Sequence, residues 1–167
     1  MTFTSIPWKP TKYAGVEMRS RTEARWAIFF DVLELKWSYE PRKFRTPEGG
    51  YIPDFYIRAR KPYWLEVKGP EPEERDYARA RYVEIETRSK LRFLVGSLPD
   101  HHVDGTLPSS TVRVFQNGKW RPAVWKAGWN PARVEDALMI AGTAYADAND
   151  EMFPGLGFSA VVGSQPF

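Results

Sequence analysis

The sequence predicts an α/β fold in which helices flank a mixed central β-sheet. Two helical patterns enclose three strand patterns, and a further apolar strand pattern follows the second helix. This alternation is typical of helices packed on a sheet. The chain has 167 residues, of which 43% are hydrophobic, so it is long and apolar enough for one compact domain with a real core.

The N-terminal elements are an arm and a helix. Residues 1–14 contain two prolines and are expected to form an irregular arm. A helix is predicted from about Ser20 to Glu34, because Ser20 is a suitable N-cap and Glu23, three residues later, completes a capping box. The predicted buried side of this helix contains Ala24, Ala27, Ile28 and Val32.

Three strands are predicted next. Residues 35–45 resemble a strand that Pro41 bends or restricts to a sheet edge. Turn residues then connect it to a strand over residues 51–57, and a second turn leads into a strand over residues 63–68. Gly69 ends that strand, so the last two strands should form a hairpin.

A second helix and a fourth strand complete the predicted core. The charged residues from Glu73 to about Ser89 alternate in sign over a length typical of a helix, and residues 91–99 form a short apolar strand pattern. We expect the core to span residues 15–98.

Residues 99–167 are expected to form a C-terminal extension packed on the core, within one domain overall. The Asn-Gly pair at residues 117–118 predicts a hairpin, and a helix should begin at Pro131. The tail from about Phe153 is rich in glycine and proline and is expected to be loosely ordered.

Composition limits the kinds of site that the chain can form. It has no cysteine, which excludes disulfides, zinc ribbons, iron–sulfur clusters and thiol nucleophiles. A metal would therefore be held by oxygen ligands or by the two histidines, and oxygen ligands favour Mg²⁺ or Mn²⁺. We see no apolar run long enough for a membrane span and no signal-peptide core, so we expect no membrane association and a cytoplasmic location.

Charge is distributed unevenly along the chain. Residues 1–69 contain 13 Lys or Arg and 8 Asp or Glu, whereas the remaining residues contain 11 and 13. The basic first part favours a polyanionic partner such as nucleic acid, although an ordinary solvated surface would also explain the excess.

Three charged residues stand within the predicted hairpin. Side chains alternate along a strand, so Glu66 and Lys68 should share one face, and the hairpin could place Asp54 beside Glu66. Two adjacent carboxylates repel each other, and a divalent cation would relieve this, with the Val67 carbonyl as a further ligand. Lys68 could orient or deprotonate a water, or neutralise charge on a phosphate, which together indicates metal-assisted phosphodiester cleavage.

These residues resemble the motifs of the PD-(D/E)xK nuclease superfamily. Pro53 and Asp54 match "PD", Glu66 to Lys68 match "(D/E)xK", and Glu23 matches the acidic residue of the first helix. Residues 15–98 are most similar to phage endonuclease I type Holliday-junction resolvases, in which a helix of the form "RSxxE" precedes "YxPDF" and "ExKG". The corresponding segments here are "RSRTE", "YIPDF" and "EVKG".

The resemblance implies a restriction-endonuclease-like core and a Mg²⁺-dependent DNA endonuclease, with Mn²⁺ able to substitute. It implies Asp54, Glu66 and the Val67 carbonyl as metal ligands, and Glu23, Asp54, Glu66 and Lys68 as catalytic residues. The resemblance also implies products with a 5′-phosphate and a 3′-hydroxyl, a branched DNA substrate and a bacterial or phage origin. A homodimer would suit a junction, which presents two symmetric strands.

Several alternatives remain open. The endonuclease subunit of certain heteromeric transposases has a similar pattern, so the enzyme could cut transposon ends or a specific sequence. The chain could also be a catalytically silent nucleic-acid-binding protein. Superfamily branches with a Gln and Tyr motif on the second helix are disfavoured, because that helix has Tyr77 but no Gln.

Two assignments near the first helix have competing explanations. The capping box alone would explain Glu23, and Glu17 could take its place in the site if the helix began earlier. A DNA phosphate track is predicted at Arg19, Arg21 and Arg25, although exposed arginines are common on helices.

Overall fold

The computed structural model describes residues 9–145 and the short strand at residues 152–153. Its elements in chain order are β1 (Thr11–Tyr13), β2 (Val16–Met18), α1 (Arg21–Val32), β3 (Lys36–Tyr39), β4 (Phe44–Thr46), β5 (Gly49–Tyr51), β6 (Phe55–Arg58), β7 (Tyr63–Lys68), α2 (Glu74–Thr87), β8 (Lys90–Val95), β9 (Val112–Gln116), β10 (Lys119–Pro122), α3 (Pro131–Thr143) and β11 (Met152–Phe153).

A mixed six-stranded sheet forms the centre of the fold, in the order β10-β9-β8-β7-β6-β3. β7 and β8 run parallel, and the other neighbouring pairs in this sheet are antiparallel. Parallel neighbours need a crossover, and α2 provides it between β7 and β8. The predicted α/β class with a mixed sheet and flanking helices is confirmed.

Helices cover both faces of this sheet. One face packs against α1 and α3 through an aromatic cluster that includes Trp26, Phe29 and Phe30, all fully buried. The other face packs against α2 and the β4–β5 hairpin, around Trp64 and Phe93. Aromatic side chains bury large apolar areas, so the strands in the middle of the sheet are held firmly from both sides.

Helix α1 begins as predicted. The Ser20 Oγ accepts a hydrogen bond from the Glu23 backbone N at 3.2 Å, and the predicted apolar side is buried. The helix ends at Val32, two residues earlier than expected, because Glu34 has a left-handed backbone with φ of 58°.

Prolines divide two of the predicted strands. The strand expected over residues 35–45 is interrupted at Pro41, so β3 is an edge strand, as expected, and β4 pairs separately with β5. The strand expected over residues 51–57 is also divided, since β5 ends at Tyr51 and β6 begins at Phe55. Pro53 has no N–H to donate to a ladder, and the break places Asp54 directly before β6.

The predicted irregular arm is partly wrong. Residues 11–13 form β1, which pairs with β2. The carboxylate of Asp31 on α1 accepts hydrogen bonds from Tyr13 Oη and Trp37 Nε1, which link β1 and β3 to the helix. Residues 1–8 and the predicted loose tail after residue 153 lie outside the described residues.

The predicted hairpin and helix of the C-terminal extension are confirmed. Asn117 and Gly118 have φ of 51° and 77°, as a tight hairpin turn requires, and β9 and β10 extend the central sheet. Helix α3 begins at Pro131 with Asn130 as its N-cap. Of the helices in the described part of the chain, none is long and apolar enough to cross a membrane.

Candidate active site

Asp54 and Glu66 lie side by side where β6 and β7 stop pairing. The last paired residues are Phe55 and Leu65, so Asp54 faces Glu66 just beyond the ladder. The Asp54 backbone N donates to Glu66 Oε2 at 3.2 Å, and Asp54 Oδ2 accepts from the Val67 backbone N at 2.7 Å. The adjacency that the hairpin pattern predicted is therefore present.

Both carboxyl groups are buried, with Asp54 1% and Glu66 8% exposed. Burial raises the pKa of Asp54 to about 7, and the charge of Glu23 adds to the shift, whereas the Val67 N–H and Arg19 partly offset it. Burial also raises the pKa of Glu66 well above its usual range, and the charge of Asp54 raises it further. A cation between the two groups would remove this electrostatic cost.

Arg19 supplies one positive charge to the pair. Its Nη2 lies 2.7 Å from Asp54 Oδ1 and 2.8 Å from Glu40 Oε1. Burial lowers the pKa of this guanidinium, but Asp54, Tyr39, Glu40 and Glu23 outweigh that effect and raise it. The Arg19 side chain is still 52% exposed. It was predicted as a DNA contact, and the structure places it against the carboxylates themselves.

Glu23 lies close to this cluster, but its oxygens serve the start of α1. Oε1 accepts from Ser20 Oγ at 3.0 Å, and Oε2 accepts from Tyr39 Oη at 2.6 Å and from the Arg19 backbone N at 3.1 Å. Ser20 caps the helix as predicted, but the Glu23 carboxylate accepts from the Ser20 hydroxyl and the Arg19 backbone N rather than from the Ser20 backbone N, so the capping box is only half present. A role of Glu23 beside a metal stays a prediction. Glu17, the alternative acid, lies exposed on β2 rather than on a helix.

Lys68, at the end of β7, is paired with a residue that sequence reasoning missed as a site residue. Its Nζ lies 3.0 Å from Asp76 Oδ1 in the first turn of α2. Asp76 also forms an ion pair with Arg79 Nη2 of the same helix at 2.7 Å. Burial tends to raise the pKa of Asp76, but the Glu73 backbone N–H, Lys68 and Arg79 together lower it, so this carboxylate is charged and holds Lys68.

Tyr51 is a second residue near the site for which sequence reasoning gave no role. It is 6% exposed, and within the described residues its hydroxyl has no hydrogen-bond partner. Burial raises its pKa well above the usual range, and the charges of Glu66 and Asp54 raise it further. An unpaired buried hydroxyl close to two carboxyl groups is a polar group available to a ligand.

The other predicted DNA contacts lie on the first helix. Arg25 Nε donates to the Ala144 carbonyl at 3.0 Å and so anchors the end of α3. Arg21 is the first residue of α1 and is partly exposed. Contact of Arg21 and Arg25 with DNA stays a prediction.

The oxygen donors near Asp54 suit a hard divalent cation. Across residues 9–145, no group of three or more His, Asp or Glu side chains is arranged to hold a metal ion. The available donors are two carboxylates and the Val67 carbonyl, which points to the same strand edge as the Val67 N–H, where β6 no longer pairs. Mg²⁺ takes few protein oxygens and keeps several waters, so this small set fits its chemistry.

Asp76 and Tyr39, to which the sequence assigned no site role, reach the site through contacts that form only in the folded chain. Asp76 follows Lys68 by eight residues, and a helix–strand crossover brings them together. Tyr39 follows Arg19 by 20 residues, and its contact with Glu23 depends on how β3 lies beside α1.

Comparison of the chain with family models, curated proteins and solved structures found no match.

Proposed function

We propose that the chain is a divalent-metal-dependent DNA endonuclease, with a restriction-endonuclease-like core, that hydrolyses phosphodiester bonds. The observation that best supports this is the buried pair of carboxyl groups at the shared end of β6 and β7, with raised pKa values, followed by a lysine on the same strand. Burying two acids together is costly, and a bound cation offsets that cost.

The residues that would hold the metal are Asp54, Glu66 and the Val67 carbonyl. Mg²⁺, or Mn²⁺ in its place, would polarise the scissile phosphate and lower the pKa of a bound water. Lys68 shares the Glu66 face of β7, and it orients the attacking water or neutralises charge on the phosphate. Asp76 keeps the Lys68 ammonium in position through the 3.0 Å ion pair.

Arg19 and Glu23 have supporting roles in this proposal. The half-exposed Arg19 side chain can leave Asp54 when a cation arrives and pair with a DNA phosphate instead. Glu23 helps to hold the metal or its water, from its place beside Asp54 at the start of α1.

The proposed substrate is branched or junction DNA, cut to leave a 5′-phosphate and a 3′-hydroxyl. This choice follows the motif likeness to junction resolvases, and a homodimer would match the two symmetric strands of a junction. Cutting at transposon ends or at a specific sequence is the nearest alternative, because it uses the same site chemistry.

A second candidate is a catalytically silent nucleic-acid-binding protein. The observation that favours it is that the charged residues already have protein partners, since Arg19 pairs with Asp54 and Lys68 pairs with Asp76. A site that is neutralised by its own side chains does not require a metal.

Cleavage of labelled DNA distinguishes the two candidates. Single-stranded, duplex, flapped and four-way substrates are incubated with Mg²⁺ or Mn²⁺ and with wild type, Asp54→Asn, Lys68→Ala or the control Lys12→Ala, which removes an exposed charge on β1. We expect wild type and the control to cut and the two site variants to fail while folded. DNA binding without cleavage by wild type would favour the binding protein.

A further inference from the structure

A basic cavity lies at the other end of β7 and β8 from the candidate active site. Its volume is about 330 Å³. We propose that this basic pocket binds a backbone phosphate of DNA. Its cationic lining residues are Arg60, Lys61, Arg88, Lys90 and Arg92. Among the described residues that line it, none is acidic.

Arg92 gives the strongest evidence that the pocket binds an anion. Its guanidinium lies 4.6 Å from the Tyr63 ring centroid and 5.6 Å from that of Trp125. Its Nη1 is buried and has no hydrogen-bond partner among the described residues, and burial lowers the pKa of the group. The charge of Glu84 also acts on Arg92, but the Glu84 carboxylate is bound by Arg81 and by the Leu91 N–H. A phosphate would supply the acceptor that Arg92 Nη1 lacks.

The neighbouring surface extends the pocket into a track. A second cavity of about 330 Å³ shares Lys90 and Arg92 with the first and adds Lys126. Val114 of β9 is paired with Arg92 on one side and with Arg121 of β10 on the other, so the two arginines share a sheet face. The Arg121 Nε is also buried without a partner in the described residues. Two such donors in one row suit an extended polyanion better than a single small ion.

The pocket is separate from the candidate active site. Tyr63, in its lining, precedes Glu66 by three residues on β7, which corresponds to about 10 Å along the strand. Arg92 pairs with Leu65, the neighbour of Glu66, so its side chain faces the opposite side of the sheet from Glu66. The pocket would therefore contact DNA away from the cleaved bond. The assignment of the phosphate to DNA rests on the proposed function, whereas the preference for a phosphate rests on the pocket itself.

DNA binding without metal tests the pocket. A fluorescently labelled duplex is titrated in chelator, with anisotropy as the readout, against wild type, Arg92→Met, Arg88→Ala and the control Lys12→Ala. We expect the affinity to fall on the order of tenfold for Arg92→Met and severalfold for Arg88→Ala, and to stay unchanged for the control. The slope of log affinity against log salt should become shallower by about one for each phosphate that the variant no longer neutralises.

Folding and small-phosphate controls make the result decisive. Arg92→Met should unfold at about the same temperature as wild type, because it removes a partly buried charge with an unsatisfied N–H together with the contacts of that charge to Tyr63 and Trp125. Wild-type affinity in both pocket variants would overturn the proposal, and so would variants that lose binding to pyrophosphate but not to DNA. Since the titration needs no metal, a chain that binds DNA through this pocket but cuts nothing would refute only the proposed function.

Discussion

Divalent-cation binding to the carboxyl pair should strengthen as the pH rises from 6 to 8. Burial raises the pKa of Asp54 to about 7, and a cation binds the deprotonated form. With that pKa, about one-tenth of Asp54 is ionised at pH 6 and about nine-tenths at pH 8, so the affinity should rise about tenfold, or ~1.4 kcal/mol. The raised pKa of Glu66 acts in the same direction.

When no metal is bound, the raised pKa of Asp54 makes the folded protein less stable as the pH rises. The pKa of Asp54 in the folded protein lies above its ordinary value of 3.8, so folding favours the protonated form. The stabilisation is complete below that ordinary value and is lost as the pH rises through about 7. Added Mn²⁺ should therefore raise the unfolding temperature more at pH 8 than at pH 6.

Isothermal titration with Mn²⁺ measures the effect directly. Titrations at pH 6 and 8, each in two buffers that differ in ionisation enthalpy, report both the affinity and the number of protons released. Asp54→Asn should lose most of the binding, whereas Glu17→Gln, which removes an exposed carboxylate on β2, should bind like wild type. Equal affinity at both pH values without proton release would refute the argument from burial, and no binding by wild type would refute the metal site.

Three further predictions concern single residues. Arg19→Ala should strengthen Mn²⁺ binding about fivefold, because a half-exposed ion pair of roughly 1 kcal/mol no longer competes with the cation; unchanged or weaker binding would contradict this. Asp76→Asn should slow DNA cleavage about tenfold, because it weakens the ion pairs of Asp76 with Lys68 and Arg79. It should leave DNA binding in chelator unchanged, because neither cation lines the basic pocket; weaker DNA binding would count against it. Gly105→Ala should lower the free energy of unfolding in urea by more than Gly118→Ala does. Both have a left-handed backbone, but only at Gly105 would the new Cβ lie 2.6 Å from a backbone carbonyl; equal losses would show that the clash is relieved.

Features that depend on neighbours in sequence could be predicted. The Ser20 N-cap and the Asn117–Gly118 turn use chemistry confined to a few residues, and both are present. The alternation of side chains along β7 predicted that Glu66 and Lys68 share a face, and the predicted hairpin placed Asp54 beside Glu66.

Contacts across the fold could not be predicted in this way. Arg19 reaches Asp54 across 35 residues, and that contact depends on the angle at which α1 meets the sheet. The sequence predicts a phosphate track at Arg19, Arg21 and Arg25, yet Arg25 is held by the end of α3, which is more than 100 residues away in sequence. Spacing along one helix gives no information about what packs against it.

β7 extends further than β6 at this end of their ladder, and this explains why Asp54 is needed by the fold as well as by the proposed chemistry. β7 continues past the last pair with β6, so the Val67 N–H has no backbone partner there, and Asp54 Oδ2 takes that place. An alanine at this position would leave a buried donor unsatisfied, at a cost of about 1–3 kcal/mol, in addition to removing a ligand. Asparagine keeps an acceptor for the Val67 N–H and removes the charge together with the ion pair to Arg19. Loss of cleavage in Asp54→Asn can therefore be attributed to the carboxylate, whereas the same loss in Asp54→Ala would not separate chemistry from folding.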